Sequence, residues 1–326
     1  MVLQDRLSQI RKIVNKEIEK ISKGTELYDA ALHIIRSGGK RLRPFLAITT
    51  SELMGGSLEI ALPAAVSLEL LHNFTLIHDD IMDRDDFRHG VPTVHKMYGV
   101  PTAILSGDLL FAFVFKNLIS SYAGVLPPNR VSKIVEKLSE ASIQICEGAW
   151  MDMTMEGKKD VPEEIYLEMI SKKTAALFEA STYCGAITAT EDGKMVKNAS
   201  SFGYLIGMAF QIVDDILGMV GDPKKTGKPV GSDLRNGKAT IIVLHAYRNM
   251  SRKDALIVDR VFGKPSSEED LREAVKIIER CGSISYAKEK AKFYIENAKA
   301  VLSEFDESSS RTILMELANF IHTRIY

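Results

Sequence analysis

The chain has 326 residues, enough for one large domain or two ordinary ones. Hydrophobic residues make up 45% and the formal net charge is −1, a balance that calls for neither nucleic acid nor an acidic membrane surface. The three cysteines, Cys146, Cys184 and Cys281, show no paired metal-ligand spacing and read as free thiols in a reducing compartment.

Apolar residues recur at helical spacing from the start. Ile10, Ile13, Val14 and Ile18 mark the first segment, where charges scattered from Asp5 to Lys20 argue against a signal peptide. The most apolar stretch, Ala103–Phe115, carries Asp108 and falls short of the ~20 residues that span a bilayer as a helix. A soluble cytoplasmic protein without stable membrane insertion is therefore expected. Leu271, Val275, Ile278 and Tyr286 continue the helical pattern late in the chain. Strand-like alternation is scarce, and Asp192-Gly193 and Asn236-Gly237 fall between helical patterns and read as loops. Breaks such as Gly38-Gly39, Gly55-Gly56, Pro127-Pro128 and Gly221–Gly231 separate roughly a dozen helical segments, none long or biased enough for an interdomain linker. The expectation is one all-α domain over residues 1–326.

The polar motifs follow in chain order. Gly38-Gly39-Lys40-Arg41-Leu42-Arg43-Pro44 puts three cations in a turn, with Lys40 and Arg43 three apart and able to converge on one anion. The apolar run Leu68–His78 leads into Asp79-Asp80-Ile81-Met82-Asp83. At about 100° per residue, Asp79 and Asp83 share a helix face, with Asp80 beside them and Asp86 one turn further on. Like charges at that spacing destabilise a helix unless a cation offsets them, and Mg²⁺ suits carboxylates combined with phosphate oxygens. Lys172-Lys173-Thr174 comes next. Phe210-Gln211-Ile212-Val213-Asp214-Asp215 then repeats paired carboxylates in an apolar run, with Gly218 where a last aspartate would complete the motif. Asp214 is expected to carry metal binding, with Asp215 assisting directly or through water. Lys228 and Lys238 follow in glycine-rich loops. Singly, each lysine reads as surface charge; their alternation with acidic clusters is what a metal–diphosphate site requires.

In that order, Gly-Gly-Lys-Arg-Leu-Arg-Pro, His-Asp-Asp-Ile-Met-Asp, Lys-Thr, Phe-Gln-x-x-Asp-Asp and Gly-Lys-Pro-x-Gly-x-Asp resemble the trans-type isoprenyl diphosphate synthases, the polyprenyl synthetase family. The resemblance implies an all-α bundle around a deep cavity, a homodimer, and two substrates, isopentenyl diphosphate and an allylic diphosphate. It implies Mg²⁺ as cofactor, three ions with substrate bound, with Mn²⁺ as a substitute. Asp79, Asp80 and Asp83 match the first metal motif, and Asp214 and Asp215 the second. Arg88, Lys173, Thr174, Gln211, Lys228 and Lys238 match the allylic diphosphate site. Lys40, Arg43 and His72 match the isopentenyl diphosphate site. Asp152 matches a polar position near the metals, and Arg324 could close over the isopentenyl site or be an exposed tail residue. The family usually has a second arginine where this chain has His89, whose charge depends on pH.

The reaction so implied is head-to-tail prenyl transfer, with Asp79, Asp80, Asp83, Lys173 and Asp214 as the groups at the chemistry. Phe74, five positions before the first motif, with the small Thr75 beside it, resembles the length-setting pattern of geranylgeranyl (C20) synthases more than farnesyl (C15) ones. Helix geometry puts Thr75 under Asp79 and points Phe74 away. Placing Phe74 at the cavity floor therefore comes from the resemblance. Competing readings are a C15 or C25 synthase, a terpene cyclase, which would not need Lys40, Arg43 and His72, and a regulatory subunit of a prenyl synthase, in which an aspartate motif is usually lost.

Overall fold

Helix starts follow capping chemistry legible in the chain. Ser57, Thr240, Ser251 and Ser267 each accept a hydrogen bond from the backbone N–H three residues on. The computed structural model describes residues 2–221 and 230–323. Its first elements are α1 (Leu3–Glu19), α2 (Glu26–Ser37), α3 (Leu42–Leu53), α4 (Leu58–Met82), β1 (Phe87–Arg88), β2 (Val91–Pro92), α5 (Val94–Tyr98), α6 (Val100–Tyr122) and α7 (Pro128–Met155). Then come α8 (Glu163–Ile170), a π-helical turn (Ser171–Ala175), α9 (Ala176–Ala189), α10 (Gly193–Val220) and α11 (Ser232–Arg235). The chain continues with α12 (Ile241–Asn249), α13 (Arg252–Val258), α14 (Glu268–Arg280), α15 (Ser283–Leu302) and α16 (Ser309–Thr323). The all-α expectation holds.

The residues group into two compact units. One comprises Met1–Ser142, Leu177–Gly203 and Val301–Leu317; the other comprises Ile143–Ala176, Tyr204–Ala300 and Ala318–Tyr326. Each gathers segments distant in the chain.

In the first unit α4 is the central element and packs against α6 and α3. Leu68, Leu70, Leu71 and Ile77 of α4 are fully buried, each contributing about 1.5–3 kcal/mol through burial. Pro63 interrupts the α4 ladder because it has no N–H. The α6 residues beside it supply polar partners. The Tyr122 hydroxyl accepts from Ala64 N (3.1 Å) and donates to Ile60 O (2.9 Å), while Asn117 Nδ2 donates to Pro63 O (2.8 Å). This seam fixes the N-terminal half of the helix that later carries the first aspartates.

Three details depart from the sequence reading. Helix α4 stops at Met82, and Arg84 adopts φ 58°. Asp86 therefore leaves the helical face and pairs with Lys96 at 2.7 Å. The chain then forms a short antiparallel hairpin in which Arg88 faces Val91. Its two-residue loop is His89-Gly90, with φ 52° and 79°, the positive pair a type I′ turn needs. Asn-Gly and Asp-Gly are the usual signals for such a turn, so His-Gly hid it. Finally, the apolar stretch at 103–115 belongs to a 23-residue helix, because Val100–Thr102 and Lys116–Tyr122 continue it. By length and composition alone α4, α6 and α10 could each cross a membrane. The α6 window is only 33% buried, and Ile104, Leu105 and Ile119 are exposed on it.

In the second unit the decisive contact is between α7 and the π-helical turn. A Cβ at Gly148 would lie 2.3 Å from Lys173 N, so only glycine lets the two backbones come this close. Asp152, one turn along α7 from Gly148, is thereby brought to Lys173.

Candidate active site

The last turn of α4 carries the first aspartates. Asp79 is half-buried, Asp83 exposed and Asp80 buried. The hairpin turns Arg88 back onto Asp80, with Nε at 2.6 Å and Nη2 at 2.5 Å from Oδ1. Burial raises the Asp80 pKa against the pull of Arg88. Asp80 Oδ2 is buried without a hydrogen-bond donor. An acceptor-only oxygen in that state suits a cation, so this end of α4 fits the Mg²⁺ its motif implies.

The cationic loop between α2 and α3 is held from inside by Arg41, whose backbone is left-handed (φ 54°). Its buried guanidinium donates to Asn15 Oδ1 (2.8 Å), Gly38 O (2.6 Å) and Ile35 O (2.5 Å), and pairs with the buried Glu69 of α4 at 3.1 Å. Lys40 stays exposed, and the Arg43 guanidinium lies 4.8 Å from the centre of the Phe178 ring. Burial, then the charges of Arg43, Arg88 and Arg41, hold His72 well below its usual pKa and therefore neutral. His89 lies at the turn tip, where partial burial of its ring, then the charges of Arg88 and Arg41, lower its pKa too. At neutral pH it offers a hydrogen bond more than a charge.

Five residues before Asp79 on α4, the Phe74 ring lies 4.7 Å from His78 and 5.0 Å from Phe111 of α6, and Phe111 lies 5.3 Å from Phe115. Thr75 is beside it, its hydroxyl donating to His72 O at 2.7 Å.

The second unit holds the other set. Asp152 Oδ2 accepts from Lys173 Nζ (2.7 Å) and Lys238 Nζ (3.2 Å). Burial raises the Asp152 pKa, but the two ammonium groups outweigh it and hold the carboxyl below its usual range. Thr174 Oγ1 donates to Gln211 Oε1 at 2.7 Å, and Gln211 Nε2 donates to Asp215 Oδ1 at 2.9 Å. Tyr166 donates to Asp215 Oδ2 at 2.6 Å. Asp214 is half-buried and Asp215 buried. Burial, then the charge of Asp233, pushes the Asp215 carboxyl up to about 8. The space above Gly218 is taken, since a Cβ there would lie 2.3 Å from Asp233 Oδ2. Lys228 and Arg324 lie outside the described residues.

Among the described residues no three His, Cys, Asp or Glu side chains form a ready-made metal cluster.

A sequence model of the family described as polyprenyl synthetase matches residues 24–278. The chain belongs to the polyprenyl synthetase family. It is 42% identical to the geranylgeranyl pyrophosphate synthase of Geoglobus acetivorans, over 99% of this chain and 98% of that one. It is 44% identical to the geranylfarnesyl diphosphate synthase of Aeropyrum pernix, over 92% and 94%. The crystal structure of geranylgeranyl pyrophosphate synthetase from Pyrococcus horikoshii superimposes with a TM-score of 0.93 at 42% identity, covering 98% of each chain. The isoprenoid-synthase fold and the trans-prenyltransferase class read from the motifs both stand.

Three polyprenyl synthetase residues gained no role from the sequence. Glu69 and Tyr166 sit in apolar helical runs with nothing to mark them. Asp233 ends the Gly-Lys-Pro-x-Gly-x-Asp motif, a signal that was available, but its place over Gly218 depends on how α11 folds back on α10.

Proposed function

We propose that the protein condenses isopentenyl diphosphate with an allylic diphosphate to give geranylgeranyl diphosphate (C20). Asp79, Asp80 and Asp83 would hold Mg²⁺, three ions with substrate bound, against the allylic diphosphate, and Asp214 would carry metal binding in the second motif, with Asp215 assisting it. When bound, the metal supplies charge stabilisation to the diphosphate leaving group. Lys173, Lys238 and Arg88 add preorganised positive charge there as the C–O bond breaks. Lys173 and Lys238 are held in place beforehand by Asp152, which substrate oxygens would partly replace. Lys40 and Arg43 bind isopentenyl diphosphate, with neutral His72 as a hydrogen-bonding partner. The double bond of that substrate attacks the allylic carbon, and the departing diphosphate takes the proton lost.

The observation that carries the C20 reading is the Phe74 stack. One ring, backed by Phe111, stands five residues before the first aspartates on α4, with the small Thr75 next to it in the chain. The Aeropyrum pernix relative favours a C25 product as the second reading. Incubating purified protein with labelled isopentenyl diphosphate and farnesyl diphosphate, then separating the products by chain length, decides between them. A C20 product is expected; a C25 product overturns the assignment. Consumption of geranylgeranyl diphosphate supplied alone would point to a cyclase instead. The exposed apolar residues Ile104, Leu105 and Ile119 on α6 support a homodimer, which sedimentation would test.

A further inference from the structure

Asp215 sits in a setting unlike that of an open ligand. It is 6% exposed, and both of its carboxylate oxygens accept hydrogen bonds from protein groups. The donor to Oδ2 is the hydroxyl of Tyr166, which is 0% exposed and comes from α8, 49 residues away in the chain. The donor to Oδ1 is Gln211, one turn back on α10. That hydrogen bond orients the Gln211 amide, so that Oε1 meets the Thr174 hydroxyl on the π-helical turn. Tyr166, Asp215, Gln211 and Thr174 thus form one chain that ties α8, α10 and the π-helical turn together. Asp214 is next to Asp215 on the helix, and Lys173 is next to Thr174 on the turn.

We propose that Tyr166 is a positioning residue for the metal–diphosphate site, acting through Asp215, and that Asp215 is a hub of hydrogen bonds and not itself a metal ligand. This rests on the prenyl-transfer reading of the site. A buried tyrosine can hold a carboxylate in this way because its ring cannot swing and its single O–H has one strong acceptor in reach. Deleting that O–H leaves the ring packing intact and loosens one oxygen of Asp215. The effect then passes along the amide of Gln211 to Thr174 and along α10 to Asp214. Partners that orient ligands in this way typically change metal affinity by about 10–100-fold when lost.

The test is Mn²⁺ binding, by titration calorimetry in the presence of inorganic diphosphate, to the wild type and to Tyr166→Phe, Asp215→Asn, Asp214→Asn and the Tyr166→Phe/Asp215→Asn double variant. Tyr166→Phe should weaken Mn²⁺ binding about 10-fold. It should raise the Mg²⁺ concentration for half-maximal activity by a similar factor, and leave KM for isopentenyl diphosphate unchanged. The double variant should bind no more weakly than Asp215→Asn, because both changes cut the same chain. Asp215→Asn should keep the wild-type number of ions at reduced affinity, whereas Asp214→Asn should lose one. The proposal is overturned if Tyr166→Phe binds Mn²⁺ like the wild type, or if its loss adds fully to that of Asp215→Asn. It is equally overturned if KM for isopentenyl diphosphate rises in step with the Mg²⁺ requirement, or if Asp215→Asn loses an ion as Asp214→Asn does. The last comparison holds even if Tyr166→Phe folds poorly. A wild type that binds no Mn²⁺ with diphosphate would instead defeat the prenyl-transfer reading.

Discussion

The two Asp-Asp pairs each run into an isoleucine on a helix and have the same division of exposure. Asp79 and Asp214 are half-buried, while Asp80 and Asp215 are buried. They differ in what holds the buried member. Asp80 is gripped by the Arg88 cation, whereas Asp215 is held by the neutral donors Tyr166 and Gln211, with the carboxylate of Asp233 nearby. The helix sets which aspartate turns inward, and the neighbours set its charge. Burial raises both carboxyls; Arg88 opposes the rise at Asp80, whereas at Asp215 the neutral donors, beside a second acid, leave the pKa near 8.

The largest expected effect breaks the metal assignment itself. Asp79→Ala should cut turnover by about 10³-fold or more if, as proposed, it removes a carboxylate that holds the cation stabilising the leaving diphosphate. Product formation near the wild-type rate would refute that role.

Arg88→Ala probes the difference between the pairs. It leaves Asp80 buried without its cation, so the metal-free protein should lose about 3 kcal/mol of stability in urea unfolding, discounted toward the low end because Arg88 is partly exposed. Tyr166→Phe leaves no unpaired full charge and should cost about 1 kcal/mol. Equal losses in the two variants would mean that the partner's charge does not distinguish the sites.

Phe74→Ala tests the proposed chain-length role of the aromatic stack in the unit of the first pair. Removing the ring against Phe111 should shift products beyond C20, read by chromatography of the labelled prenyl chains. An unchanged product would remove Phe74 from the account.

Asp152→Asn gives the smallest effect and tests the second unit at low pH. The folded pKa of Asp152 is depressed, so its stabilising contribution is present above the unfolded value of about 3.9 and is lost as pH falls through the folded value. The wild type should therefore be more stable than Asp152→Asn near neutral pH, by about 1 kcal/mol, with the difference closing at acid pH. A gap that widened on acidification would reverse the sign.

The helical class, the two carboxylate pairs and the cations between them were legible in the chain before any fold was known. Helical periodicity and like-charge spacing are local properties, carried by residues within a few positions of one another. The sequence also placed Asp79 and Asp83 together, because the two lie one turn apart at the end of α4. It failed where the helix stopped: Asp86 was assigned to a face that ends at Met82, and the His89-Gly90 turn that returns Arg88 to Asp80 lacked the usual residues. Tertiary structure alone decided which aspartate oxygens are already taken. Tyr166 reaches Asp215 across 49 residues, Lys238 reaches Asp152 across 86, and Asp233 covers Gly218 from the next helix. A helix repeat of about 3.6 residues says which side chains share a face, but burial and hydrogen-bond partners depend on what the rest of the chain brings to that face.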